Sequence, residues 1–453
     1  MRKLIVLTLA LLTSACASAG GRSVQAPVAA ATGPFQTMPA DTTGAEPVAD
    51  WWRLYHDPVL EALIERALAA NTDLRAANAN LLRAQAVLRG ARGERPPLTT
   101  VSAQARYGNG DPQGQGREDW VRSAGFSMNW EVDLFGRLSS TIAAAKADAD
   151  AVAAVRDQVR VTVAAETARA YADACAFADA AAASRSALAV AQDSLKLVTA
   201  QESAGAASRL EVEQAATDVA NARALVAPIE AQRKASLFGL AALIGVPPAE
   251  APAEATACVR PPRTQAVLPV GDGAGLLRRR PDVREAERRL AADAARIGVA
   301  TADLYPRISL GAGLEDAGGE LASARGTTFS VGPVVSWNFP NIVAARARLA
   351  QARAQNQVSL ALFDGAVLGA LKDVERSLAL YGAESDRNLA LAEASRRAEA
   401  AYQLADHRYR VGEISFLQLL TAQRDLVAAR TDLALSAQRL GSVRIDVFKA
   451  LGA

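Results

Sequence analysis

Apolar and polar positions alternate at period two in four short segments. Val101, Ala103, Ala105 and Tyr107 alternate with Ser102, Gln104 and Arg106. Phe126, Met128, Trp130 and Val132 alternate with Ser127, Asn129 and Glu131. Ile308, Leu310, Ala312 and Leu314 alternate with Arg307, Ser309, Gly311, Gly313 and Glu315, and Phe329, Val331, Pro333, Val335 and Trp337 with Thr328, Ser330, Gly332 and Ser336. Period two is the signature of a strand with one apolar and one polar face. Segments of about ten residues match the strands of a membrane barrel, although a soluble sandwich has the same alternation. Four strands cannot close a membrane barrel, for which about eight is the minimum, so a barrel requires several chains.

The intervening segments predict very long helices. Residues 139–203 contain no proline or glycine and are dominated by alanine. At 1.5 Å per residue they would reach about 100 Å. Residues 342–411 are similar, interrupted only by Gly365, Gly369 and Gly382. Helices of that length must pack lengthwise against others, as in a coiled coil. Return helices are predicted near 207–244 and 414–450, with Pro228 expected to kink the first or to loosen one of its hydrogen bonds. Shorter helices are predicted near 57–92 and 280–303.

One constant offset links the two halves. Trp130 and Trp337, Gly205 and Gly412, Leu210 and Leu417, and Gly245 and Gly452 are each 207 positions apart. The fold class predicted is therefore mixed and mainly α, with an internal two-fold repeat. Residues 1–15 read as a signal peptide and 16–50 as a lipid anchor and flexible tether. The first repeat covers 51–250, with strands about 98–107 and 120–132. A Pro-containing connector covers 251–273. The second repeat covers 274–453, with strands about 306–315 and 327–337. Gly108 to Gly116 and Asp316 to Gly326 read as exposed loops joining each strand pair.

The N-terminus is an address label. Arg2 and Lys3 precede the apolar run Leu4 to Leu12, then Thr13-Ser14-Ala15-Cys16. This is a secretory signal. The small residues before Cys16 resemble a lipobox, in which the cysteine is acylated; an ordinary signal peptide is the alternative. No later stretch reads as a membrane-spanning helix. Charge is balanced, 50 basic residues against 48 acidic, which gives no reason to expect nucleic acid. His56 and His407 have no evident partner, and no paired carboxylates, catalytic triad or metal cluster stands out, so no enzyme activity and no cofactor is expected. Cys175 and Cys258 lie in an oxidising compartment if the chain is exported, but sequence leaves their pairing open.

Several stretches, in order, resemble one family. They are Trp51-Trp52-Arg53-Leu54 with Asp57-Pro58, Asn71 with Asp73-Leu74-Arg75, and Trp130-Glu131-Val132-Asp133-Leu134-Phe135-Gly136-Arg137. Arg279-Arg280-Pro281-Asp282-Val283, Tyr305-Pro306 and Tyr409-Arg410-Val411-Gly412 follow. The chain resembles the TolC-type outer-membrane factors, and most closely their lipoprotein (NodT/OprM-like) branch, which serves resistance-nodulation-division (RND) pumps.

The resemblance implies a trimer whose four strands per chain make a twelve-stranded transmembrane β-barrel above an α-barrel of long helices. It implies an outer-membrane exit duct, lipid-anchored at Cys16, with a periplasmic adaptor and an inner-membrane RND pump as partners. It assigns adaptor docking to the tips Ala204-Gly205-Ala206 and Val411-Gly412-Glu413, and a periplasmic gate to Tyr409, Leu417 and Thr421. Relatives often carry aspartate where Thr421 stands and some carry arginine where Ile414 stands, so an acidic gate and a basic lock partner are not expected. Leu417 and Tyr409 equally suit ordinary helix packing. A type I protein-secretion channel and a non-channel periplasmic spacer or adaptor are the alternative functions.

Overall fold

The structure is a computed structural model that describes residues 33–108, 119–262, 264, 267–318, 326–340 and 342–453. The signal peptide, Cys16, the first half of the tether and the centres of both strand-joining loops lie outside the described residues.

The first described elements are a two-residue strand, β1 (Thr42–Thr43), a 3-10 turn (Trp51–Tyr55) and helices α1 (Pro58–Ala70) and α2 (Thr72–Gly93). Strands β2 (Leu98–Gly108) and β3 (Asp119–Val132) follow, then the long helix α3 (Arg137–Ser203) and its return helix α4 (Arg209–Leu243). A connector holds α5 (Ala253–Thr256) and β4 (Leu268–Pro269). The same order then recurs: α6 (Gly273–Arg279) and α7 (Pro281–Ala302), β5 (Arg307–Gly318) and β6 (Gly326–Ser336), the long α8 (Val343–Arg410) and its return α9 (Phe416–Leu451).

The helical stretch expected near 57–92 is a pair of helices. Asn71 divides them, its side chain accepting from the backbone N–H groups of Asp73 and Leu74 while its amide donates to the carbonyl of Leu243. That is N-cap chemistry, which a polar residue supplies where a new helix starts. Helix α4 runs unbroken through Pro228.

The core lies at the waist, where both repeats meet. Trp51 is fully buried and stacks on Phe448 at 4.6 Å. Around them pack Leu60 and Ile64 of α1, Tyr171 of α3, and Val374, Leu378 and Tyr381 of α8. Cys175 and Cys258 form a disulfide that fastens the connector to α3.

Part of the expected tether is a packed strap. Phe35 is buried, and β1 pairs in parallel with β4. The backbone N–H groups of Gln36 and Thr37 donate to the Glu375 carboxylate at 2.7 and 3.0 Å, and Tyr381 donates its hydroxyl to Asp41. A Cβ at Gly382 would come within 3.2 Å of Pro39, so glycine there lets the strap lie against α8. The composition of this segment is that of a linker, but its polar backbone finds fixed partners on α8 and β4.

Helix α3 departs from the expectation that no later stretch is apolar enough to span a membrane. One 18-residue window of α3 is long and apolar enough to cross a membrane, and half of it is buried against other helices. Its apolarity is largely alanine, which scores as apolar while burying little surface and permitting close helix packing.

Candidate functional site

Strands β2, β3, β5 and β6 form one antiparallel sheet in that order. The register aligns the apolar positions of all four in rows. Val101, Phe126, Leu314 and Phe329 form one, and Met128, Ala312 and Val331 lie in the next. Val101, Phe126, Leu314, Phe329 and Val331 are exposed, with Val101 80% and Phe329 83% accessible, and Met128 and Ala312 are half-buried. The opposite face carries Ser102, Gln104, Ser123, Ser127, Glu315, Thr328 and Ser330, which line a shallow hollow.

Aromatic residues mark both ends of the apolar band. Tyr107 and Trp120 pack together at one end; Phe135 stacks on Tyr305, and Trp337 on Phe339, at the other. Ten residues of β3 separate Trp120 from Trp130. At about 3.3 Å per residue and a tilt near 40°, that is a band about 25 Å tall, the height of an outer-membrane barrel's lipid-facing belt. The Trp130 and Trp337 indoles, one repeat apart, each donate to a carbonyl preceding their strand pair, at Arg95 and Leu304. Strands β2 and β6 each have one edge with no strand partner among the described residues.

The far ends of the long helices form two matched tips. Gly205 and Gly412 adopt φ of +73° and +78°, the left-handed conformation that glycine accepts and that ends a helix. Ala206 N–H donates back to the Gln201 carbonyl, and Glu413 N–H to that of Arg408. Each return helix starts at a serine: Ser208 with Glu211 in a capping box, and Ser415, whose backbone N–H donates to Gln418. Ala204, Gly205, Ala206, Val411, Gly412 and Glu413 are all exposed.

The gate residues separate by face. Phe416, Leu419 and Leu420 of α9 are buried against Val198 and Val212 of the other hairpin. Leu417 and Thr421 are exposed, as is Arg424, at spacing i, i+4, i+7. One stripe of α9 therefore points away from its own chain's core. Leu417 is 57% accessible and does not serve packing within the chain. Tyr409 does pack, against Phe416, and donates its hydroxyl to Gln201 of α3. Burial and the nearby Glu211 carboxylate push its pKa up.

Asp218, beyond the first tip, is a residue that the sequence motifs do not mark, whereas Arg424 falls in the Ala422-Gln423-Arg424 stretch of the second-tip motif. Asp218 of α4 is 10% accessible and accepts a forked pair from Arg424 of α9, with Nε–Oδ1 2.9 Å and Nη2–Oδ1 2.7 Å. The hydrogen bond raises the Arg424 pKa. A signal existed. Asp218 lies thirteen residues past Gly205 and Arg424 twelve past Gly412, so opposite charges stand at equal height on the two return helices. His407 is exposed, and no metal-binding cluster occurs among the described residues.

Residues 63–246 and 275–453 match the family described as outer membrane efflux protein. The pyoverdine export outer membrane protein OpmQ of Pseudomonas aeruginosa is 31% identical over 100% of this chain and 97% of its own length. The probable efflux pump outer membrane protein TtgC of Pseudomonas putida is 30% identical over 94% of this chain and 90% of its own. The solved structure of the outer-membrane channel OprN superposes with a TM-score of 0.88 at 32% identity, covering 95% of this chain and 98% of that one.

Proposed function

This chain belongs to the outer membrane efflux protein family, of the NodT/OprM type, and on that premise we propose that three copies form the outer-membrane exit duct of an RND-type tripartite pump. The observation that carries this reading is the sheet: an exposed apolar face, a polar face and two open edges. Open strand edges cannot remain unpaired in lipid. Three sheets of four strands joined edge to edge give twelve strands and leave no edge. The apolar rows then face lipid, and the Ser, Thr and Gln rows line a water-filled lumen. Below the membrane the long helices continue the wall into the periplasm.

The duct moves nothing by its own chemistry. An inner-membrane pump supplies energy and an adaptor bridges to the exposed tips around Gly205 and Gly412. The pump decides what is exported. Conduction needs no catalytic residue and no cofactor. Acylation of Cys16 would add a lipid anchor, at roughly 0.8 kcal/mol per buried methylene. Twisted-in tips close the tunnel at rest, with Leu417 and Thr421 directed at its axis and Tyr409–Gln201 tying the two hairpins together. Adaptor binding releases those ties, a shift between two packed states.

Planar-bilayer recording of the purified protein, with its mass in detergent, tests both parts. A trimer of small, mostly closed conductance is expected. Leu417→Ala with Thr421→Ala should raise that conductance several-fold. A trimer whose conductance ignores both replacements would move the gate elsewhere, and a monomer without conductance would remove the duct.

A further inference from the structure

We propose that Glu315 gives the strand-lined part of the channel a preference for cations. The inference rests on the trimeric duct reading above and names a specificity residue within it.

Register places Glu315 in the row Ser102–Gly125–Glu315–Thr328. Gly125 lies five residues from Trp120 and five from Trp130, so this row crosses the middle of the aromatic-bounded band. The carboxylate is exposed on the polar face, among hydroxyls and bare backbone. A Cβ added at Gly125 would meet the Glu315 Cγ at 3.9 Å and the Ser102 Oγ at 3.3 Å, so the glycine is where the glutamate stem lies over the sheet.

Among the described side chains of that face, the other charges are neutralised or distant. Arg137 holds Glu131 in a two-point pair at 2.8 and 2.7 Å, and Asp303 holds Arg307 at 2.8 Å. Arg106 lies four residues along β2 from Ser102, about 13 Å away. Among the described residues the Glu315 carboxylate has no ion-pair partner. An unpaired charge at mid-membrane depth is tolerated only against water, which again places this face on the lumen.

Magnitudes decide whether one carboxylate per chain is enough. Twelve strands spaced about 4.8 Å and tilted about 40° give a backbone diameter near 24 Å. Side chains narrow this further, so the lumen axis lies about 8–10 Å from each of three symmetry-related carboxylates. That distance is about one Debye length at 0.1–0.15 M salt. No ion crosses outside their combined field, the condition under which a carboxylate ring selects for cations. At 1 M salt the Debye length is about 3 Å and the axis is screened.

The test is the reversal potential of the purified trimer in a planar bilayer under a KCl gradient, with mass in detergent confirming assembly of each variant. In dilute salt the wild type should favour K⁺ over Cl⁻ about threefold. Glu315→Gln should bring the ratio close to one, and Glu315→Lys should invert it. Raising salt to about 1 M should make wild type and Glu315→Gln converge. Identical reversal potentials in all three proteins would overturn the assignment. Absence of conductance in the wild type would overturn the duct reading and this inference with it.

Discussion

Replacing Arg424 by alanine is expected to open the tips, raising the open-to-closed ratio about tenfold. Arg424 and Asp218 join the two return helices on the side of the apolar cluster of Val212, Phe416, Leu419 and Leu420. Hydrogen bonds to charged groups contribute about 1.5–3 kcal/mol. Arg424 is 53% accessible, so solvent screening reduces its share to about 1–2 kcal/mol. Each 1.4 kcal/mol is tenfold in an equilibrium. Asp218 adds to the effect, because it is nearly buried and would be left without its partner while the tips stay closed. Opening hydrates it. Arg424→Lys should recover only part of the closed population, since an ammonium cannot make the forked contact. Asp218→Ala with Arg424→Ala should be milder than Arg424→Ala alone, because no buried charge remains. The reading is open probability in planar bilayers. An Arg424→Ala channel as closed as the wild type would remove this pair from the gate.

The second large effect concerns stability at the waist. The Cys175–Cys258 bond closes a loop of 83 residues. Chain entropy alone assigns such a loop about 4.5 kcal/mol, with measured disulfides more often giving about 2–4. Cys175→Ala with Cys258→Ala should therefore lower unfolding stability by about 2–4 kcal/mol. Guanidinium unfolding followed by tryptophan fluorescence would report it, since Trp51 and Trp52 lie in the waist core. Reduction of the wild type should reproduce the variant's curve. A midpoint unchanged by both treatments would mean the bond does not restrain the unfolded chain.

Features with a local cause were legible in the residues. Strands formed where apolar residues alternate at period two, because side chains on a strand point to opposite faces. The long helices formed where proline is absent and glycine is absent or sparse, and each turned back at a glycine with positive φ. The 207-residue offset joined residues with matching geometry: two indoles donating to upstream carbonyls, and two glycines at the tips. The strap at residues 33–50 is not legible in the residues, because its composition is that of a linker and its partners, Glu375, Tyr381 and β4, are remote in sequence.

By itself, then, the sequence determined element type, element length, the repeat and, through a chain of resembling motifs, the family. Each depends on neighbours along the chain: steric limits on φ and ψ, side-chain periodicity and cap chemistry. Which faces meet was set by contacts between distant segments. These joined Cys175 to Cys258 and Asp218 to Arg424, left Leu417 exposed while burying Leu419 beside it, and set Glu315 in one row with Ser102 and Thr328. A helix presents a different face every residue, and a sheet exchanges its faces with a one-residue slip in register. Those choices are made by packing between segments far apart in the chain.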